Sequence, residues 1–95
     1  MKTLKNKIKL VKDDMLSRFP KCPHTIRILI WDDGTDSVEC RYGNDEGTKL
    51  FTSTYYDDKL TFREIDINGK VMVIDEFGNE KFYNIMDNPH KFNNN

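Results

Sequence analysis

Hydrophobic and polar positions change period once along this chain. In the first segment Leu4, Ile8, Val11 and Met15 recur at helical spacing, and Lys5, Lys9 and Lys12 fall on the opposite side. Thr3 offers a capping hydroxyl, and Phe19-Pro20 ends the segment, because a residue before proline avoids the α region. The spacing predicts a helix over 3–18. The run Lys7-Ile8-Lys9-Leu10 alternates and also suits a strand, with Asp13 capping a shorter helix after it. Pro20 to Pro23 then reads as a rigid connector.

Beyond the connector the period falls to two. Turn signals at Asp33-Gly34, Gly43 to Gly47, Asp57-Asp58, Asn68-Gly69 and Gly78-Asn79 separate short segments rich in β-branched and aromatic residues. These predict strands at 25–31, 35–42, 49–56, 60–67, 70–77 and 80–86. A three-residue loop Asp32-Asp33-Gly34 sets Trp31 against Thr35, Ile28 against Val38, Ile26 against Cys40, and Arg27 against Glu39, a favourable cross-strand pair. A glycine-bulge loop at Asn68-Gly69 pairs Ile65 with Val71 and Phe62 with Ile74. A two-residue turn at Gly78-Asn79 would pair Glu76 with Lys81, Ile74 with Tyr83 and Met72 with Ile85. Phe62, Met72, Ile74, Tyr83 and Ile85 then share one face.

The expected fold is α+β: an N-terminal helix packed on a curved six-stranded antiparallel β-meander, curved strongly enough to resemble a barrel. Residues 1–86 form one domain, with the helix in 1–19 and the meander in 25–86, and 87–95 read as a polar tail. Both sheet faces are apolar: Leu29 and Trp31 oppose Ile26 and Ile28, and Val71 and Val73 oppose Met72 and Ile74. One helix covers one face, so the other needs curvature, a partner or self-association.

Charge and composition narrow the classes. The net charge of −1 hides an asymmetry: residues 1–21 hold seven Lys/Arg and two Asp, and residues 22–95 hold eight Lys/Arg and fourteen Asp/Glu. A basic head on an acidic body suggests internal docking or two partner surfaces. The longest strongly apolar run, Ile28 to Trp31, is far too short for a bilayer. No apolar region follows the N-terminal lysines as a secretory leader requires. Two cysteines, Cys22 and Cys40, fit reduced thiols and a cytoplasmic setting better than a disulfide scaffold. The Asn, Lys, Asp and Ile bias matches AT-rich genomes, including those of many bacteriophages.

No catalytic or cofactor signature stands out, and the reading is of a non-enzymatic chain with no cofactor, metal, membrane or small-molecule substrate. Cys22, His24, Cys40 and His90 are zinc-type ligands at poor spacing. Asp32, Asp33, Asp36, Asp45 and Glu46 crowd two loops without the spacing of a calcium loop, and turns recruit the same residues for backbone reasons. No phosphate-binding glycine motif occurs. What remains is a binding surface. Leu29, Trp31, Tyr55 and Tyr56 are the anchors expected to meet a protein partner, with a second copy of the chain as one form of it. A phage-encoded inhibitor of a host protein is one such role. The alternative is a nucleic-acid-binding accessory protein, with Lys5, Lys9 and Lys12 tracking a phosphate backbone.

Overall fold

The computed structural model describes residues 2–21 and 24–85. In chain order the elements are α1 (Leu4–Arg18), β1 (Thr25–Ile30), β2 (Asp36–Gly43), β3 (Lys49–Tyr56), β4 (Lys59–Asp66), β5 (Lys70–Ile74) and β6 (Glu80–Asn84). The fold is α+β, and residues 7–10 belong to the helix. The strands pair antiparallel in the order β1-β2-β3-β4-β5-β6. The sheet is open rather than barrel-like: β1 and β6 are its two edges, and closure would need them to pair. Residues 86–95, with the tail and the end of the sixth expected strand, lie outside the described residues.

Local chemistry explains the helix. The Thr3 hydroxyl accepts a hydrogen bond from the Asn6 N–H at 3.2 Å, satisfying one orphan donor. Val11 and Met15 are fully buried against Val38 and Cys40 of β2, Phe51 and Tyr55 of β3, and Phe62 of β4. Phe19, just past the helix, brings its ring to 4.4 Å from Phe51 and 5.2 Å from Tyr42. The Arg18 guanidinium sits 4.0 Å over the Phe62 ring. Two polar contacts fix the direction of the helix. The Lys7 ammonium meets Asp36 at 2.7 Å, and the Ser53 hydroxyl donates to Asp14 at 2.6 Å. The basic head is thus docked in part on the acidic body, through Lys7.

The expected registers of β1–β2 and β4–β5 are present: Ile28 pairs with Val38, Arg27 with Glu39, Ile65 with Val71, and Phe62 with Ile74. The β5–β6 register differs. Ile74 pairs with Glu80, Met72 with Phe82, and Val71 with Tyr83. The cause is the turn. The Asp75 carboxylate accepts the N–H groups of Phe77 and Asn79, both at 2.9 Å, and Gly78 adopts φ +83°. The loop is therefore Glu76-Phe77-Gly78, one residue longer than a Gly78-Asn79 turn and placed earlier. Asp66 makes the same cap ahead of Gly69, and Asn44 a similar one ahead of Gly47. The shift turns Tyr83 away from the helix side and puts Phe82 there, 71% exposed. At Asp57-Asp58 both residues have positive φ, the mark of a two-residue hairpin turn.

Met15→Ala removes the side chain at the centre of the helix contact and should lower unfolding stability by about 2–5 kcal/mol in a urea titration. The hydrogen bond from the Asn79 backbone, helped by a weaker one from the Phe77 backbone, holds the Asp75 carboxyl below its ordinary value and outweighs an opposing desolvation. A depressed folded-state pKa gives stability that is present above the unfolded value and is lost as pH falls through the folded one. Asp75→Asn keeps the acceptor and removes the titration. Thermal melts from about pH 5 down to about pH 2 should show wild type losing more stability than this variant; equal losses would assign acid sensitivity to other carboxylates.

Candidate binding edge and open sheet face

The helix lies over β2 and β3, so the first site to build is the edge it leaves open. The Trp31 N–H donates to the Thr35 carbonyl at 2.8 Å. Antiparallel pairs alternate, so Thr25, Arg27 and Leu29 aim their backbone groups at β2, and Ile26, Ile28 and Ile30 aim theirs outward. The outward row belongs to the segment Thr-Ile-Arg-Ile-Leu-Ile, which carries one charge, Arg27. Ile28 and Ile30 are 40% and 77% exposed on the helix side of this edge. The opposite edge, β6, is shorter and carries Glu80 and Lys81, charges of the kind that discourage edge pairing.

On the face away from the helix, Leu29 and Tyr56 flank Ser37 across three strands, and Ser37 is buried between them. Trp31 continues this corner, its ring 6.0 Å from Tyr56 in an edge-to-face arrangement. Both rings stand nearly half exposed. Tyr55 does not join them. Neighbours in a strand point to opposite faces, and Tyr55 lies under the helix, 6% exposed, in the core. Of the four expected anchors the structure brings Leu29, Trp31 and Tyr56 together and places Tyr55 behind them.

The other candidates take ordinary places. Lys5, Lys9 and Lys12 are exposed on the helix, with Lys9 held by Asp13 at 2.7 Å. The Asp33 carboxylate accepts from the Thr35 hydroxyl and backbone, which lowers its pKa, and Asp36 is the Lys7 partner. Asp32, Asp45 and Glu46 sit exposed in turns. Cys40 is buried in the core, Cys22 and His90 fall outside the described residues, and among the described residues no three His, Cys, Asp or Glu side chains group as metal ligands. Among the described residues no helix is long and apolar enough to cross a membrane.

One group escaped the sequence. Cross-strand partners align Thr25, Arg41, Thr52, Arg63, Val73 and Lys81 in a single row over the open face, one from each strand. Placing Lys81 opposite Glu76 hid it. With the Asp-x-x-Gly cap recognised at Asp75, Lys81 falls opposite Val73 and the row completes itself. A shallow hollow of about 370 Å³ lies beside it, walled by Thr54, Tyr56 and Thr61 with Lys59 and Arg63 against Glu39 and Asp57. Comparison with protein-family models, with curated proteins and with solved structures finds no match, so the site is read from its own chemistry.

Tyr55→Ala should cost about 3–5 kcal/mol of stability as a truncated core aromatic. Tyr56→Ala, losing a half-exposed ring contact, should cost about 1 kcal/mol. Urea titration of the two variants checks the assignment of faces; similar costs would contradict it.

Proposed function

We propose that this chain is a non-enzymatic binding protein that engages another protein along β1, with Trp31, Tyr56 and Leu29 as anchors on one face and Ile28 and Ile30 on the other. The observation that carries this reading is the edge itself: outward backbone groups between exposed Ile28 and Ile30 on one face and Leu29 and Trp31 on the other, guarded by one charge. A partner strand laid along it gains main-chain hydrogen bonds, and the alternate side chains supply selectivity. Trp and Tyr at the rim are the residue types that concentrate binding energy at interfaces. A second copy of the chain is one such strand donor. Covering a partner's own strand edge would block whatever that edge normally pairs with, which is how so small a protein inhibits a larger one. The lysines of the helix support the nucleic-acid alternative less well, since of Lys5, Lys9 and Lys12 the middle one is paired with Asp13.

Ile30→Lys places a charge on the edge at an exposed position and should leave the thermal melt within a few degrees of wild type while abolishing association. Sedimentation velocity reads self-association, and affinity capture from the native host reads a foreign partner. Association that survives both Ile30→Lys and Trp31→Ala would place the interface elsewhere.

A further inference from the structure

We infer that the open face of the sheet is a platform for single-stranded nucleic acid, which shares Trp31 and Tyr56 with the proposed protein interface but does not use the outward backbone of β1. The charges of the strands are sorted by face. Away from the helix stand Arg27, Arg41, Lys59, Arg63 and Lys81 against one strand carboxylate, Glu39. Beneath and beside the helix stand Asp36, Glu64, Asp66 and Glu80 with Lys49 and Lys70. A body that is acidic in sum therefore presents one basic surface.

Two of the five open-face cations have a carboxylate near them, Arg27 opposite Glu39 and Lys81 close enough to Asp75 to lower its pKa. Among the described residues none of the five forms an ion pair within 4 Å. Arg41, Arg63 and Lys81 occupy alternate strands of the row, so their backbone positions are spaced by about 10 Å across the sheet. Thr52 stands between Arg41 and Arg63, Val73 between Arg63 and Lys81, and Thr25 ends the row on β1, while a second row of Leu50, Ile65, Val71 and Tyr83 runs parallel on one side. On the other side lie the hollow at Thr54 and Thr61, and then Tyr56 and Trp31. The layout is a line of cations bordered by apolar and aromatic surface.

The direction of the row selects the occupant. A chain following it crosses the strands, so it cannot add to the sheet ladder and must carry its own means of contact. A single nucleic-acid strand does so. Its phosphates meet guanidinium groups, which bind them with two hydrogen bonds, and its bases lie on apolar and aromatic side chains. An acidic peptide supplies the charge but not the flat rings. A duplex keeps its bases stacked away from the protein and leaves the bordering surface unused.

The test uses the full chain and a fluorescently labelled oligothymidylate of twelve nucleotides. Binding should weaken with salt, and a contact with three phosphates gives a slope of about −2 in log affinity against log salt. Arg63 and Lys81 are exposed, so the double variant Arg63→Gln with Lys81→Gln should keep the wild-type melt, lose at least tenfold in affinity at low salt, and bring the slope to about −0.7. Trp31, the one tryptophan of the chain, should be quenched on binding by wild type. Exchanging Lys5, Lys9 and Lys12 for Gln should leave affinity unchanged, and so should Ile30→Lys, which separates this surface from the protein-binding edge. No binding at low salt, binding abolished by the helix variant, or equal affinity for polyglutamate or for a duplex of the same length would each overturn the assignment.

Discussion

An α-helix with its side chains is about 10 Å wide, and neighbouring strands are about 4.8 Å apart. A helix laid along a sheet therefore shields about two strands, and this sheet has six. That mismatch of widths organises the molecule. α1 settles over β2 and β3, where the fully buried side chains Val11, Met15, Val38, Cys40 and Ser53 lie. Moving outward on both sides, exposure rises: Ile28 and Ile30 on β1, Phe82 on β6. Both proposed binding surfaces, the β1 edge and the open face, lie where the helix does not cover the sheet.

The helix has to be held in place for that division to persist, and the means are mixed. Apolar burial supplies the largest share, while polar contacts give the direction. Lys7 and Asp36 lie at one end of the contact, Asp14 and Ser53 in the middle, and the Phe19 ring among Tyr42, Phe51 and Phe62 at the other end. Asp14 also accepts from Arg18 at 3.2 Å, so one carboxylate ties the helix to itself and to β3. Half-buried ion pairs of this sort add modest free energy, because desolvation offsets much of the attraction. Their main effect is to fix how the helix is rotated, which decides that Lys5 and Lys12 face water.

Much of this was legible in the residues, for physical reasons that can be named. The helix was marked by its 3.6-residue apolar period and the Thr3 and Pro20 signals. The first and fourth hairpins were readable because glycine at positive φ fixed the loop, and the apolar pairs then left one sensible register. The fifth hairpin is not legible in this way, because Gly78-Asn79 has the signature of a two-residue turn, whereas the Asp75 carboxylate captures two N–H groups and starts the loop earlier. The same cap occurs at Asp66, and a related one at Asn44, so the recurring Asp/Asn-x-x-Gly spacing is the available signal. Tyr55 and Tyr56 could not be separated by residue type; only alternation within β3 separates them. The row formed by Arg41, Arg63 and Lys81 is distributed over forty residues of sequence and becomes visible only when every register is right.

Each strand touches only its predecessor and successor in the chain. Nothing is threaded, and no strand is inserted between two others. Cohesion must then be graded from one side to the other, strongest where the helix clamps β2 and β3 and weakest in the β5–β6 hairpin, which the helix does not span. Opening of such a molecule is local and directional: the far hairpin can peel away and re-anneal while the clamped strands stay protected from solvent exchange.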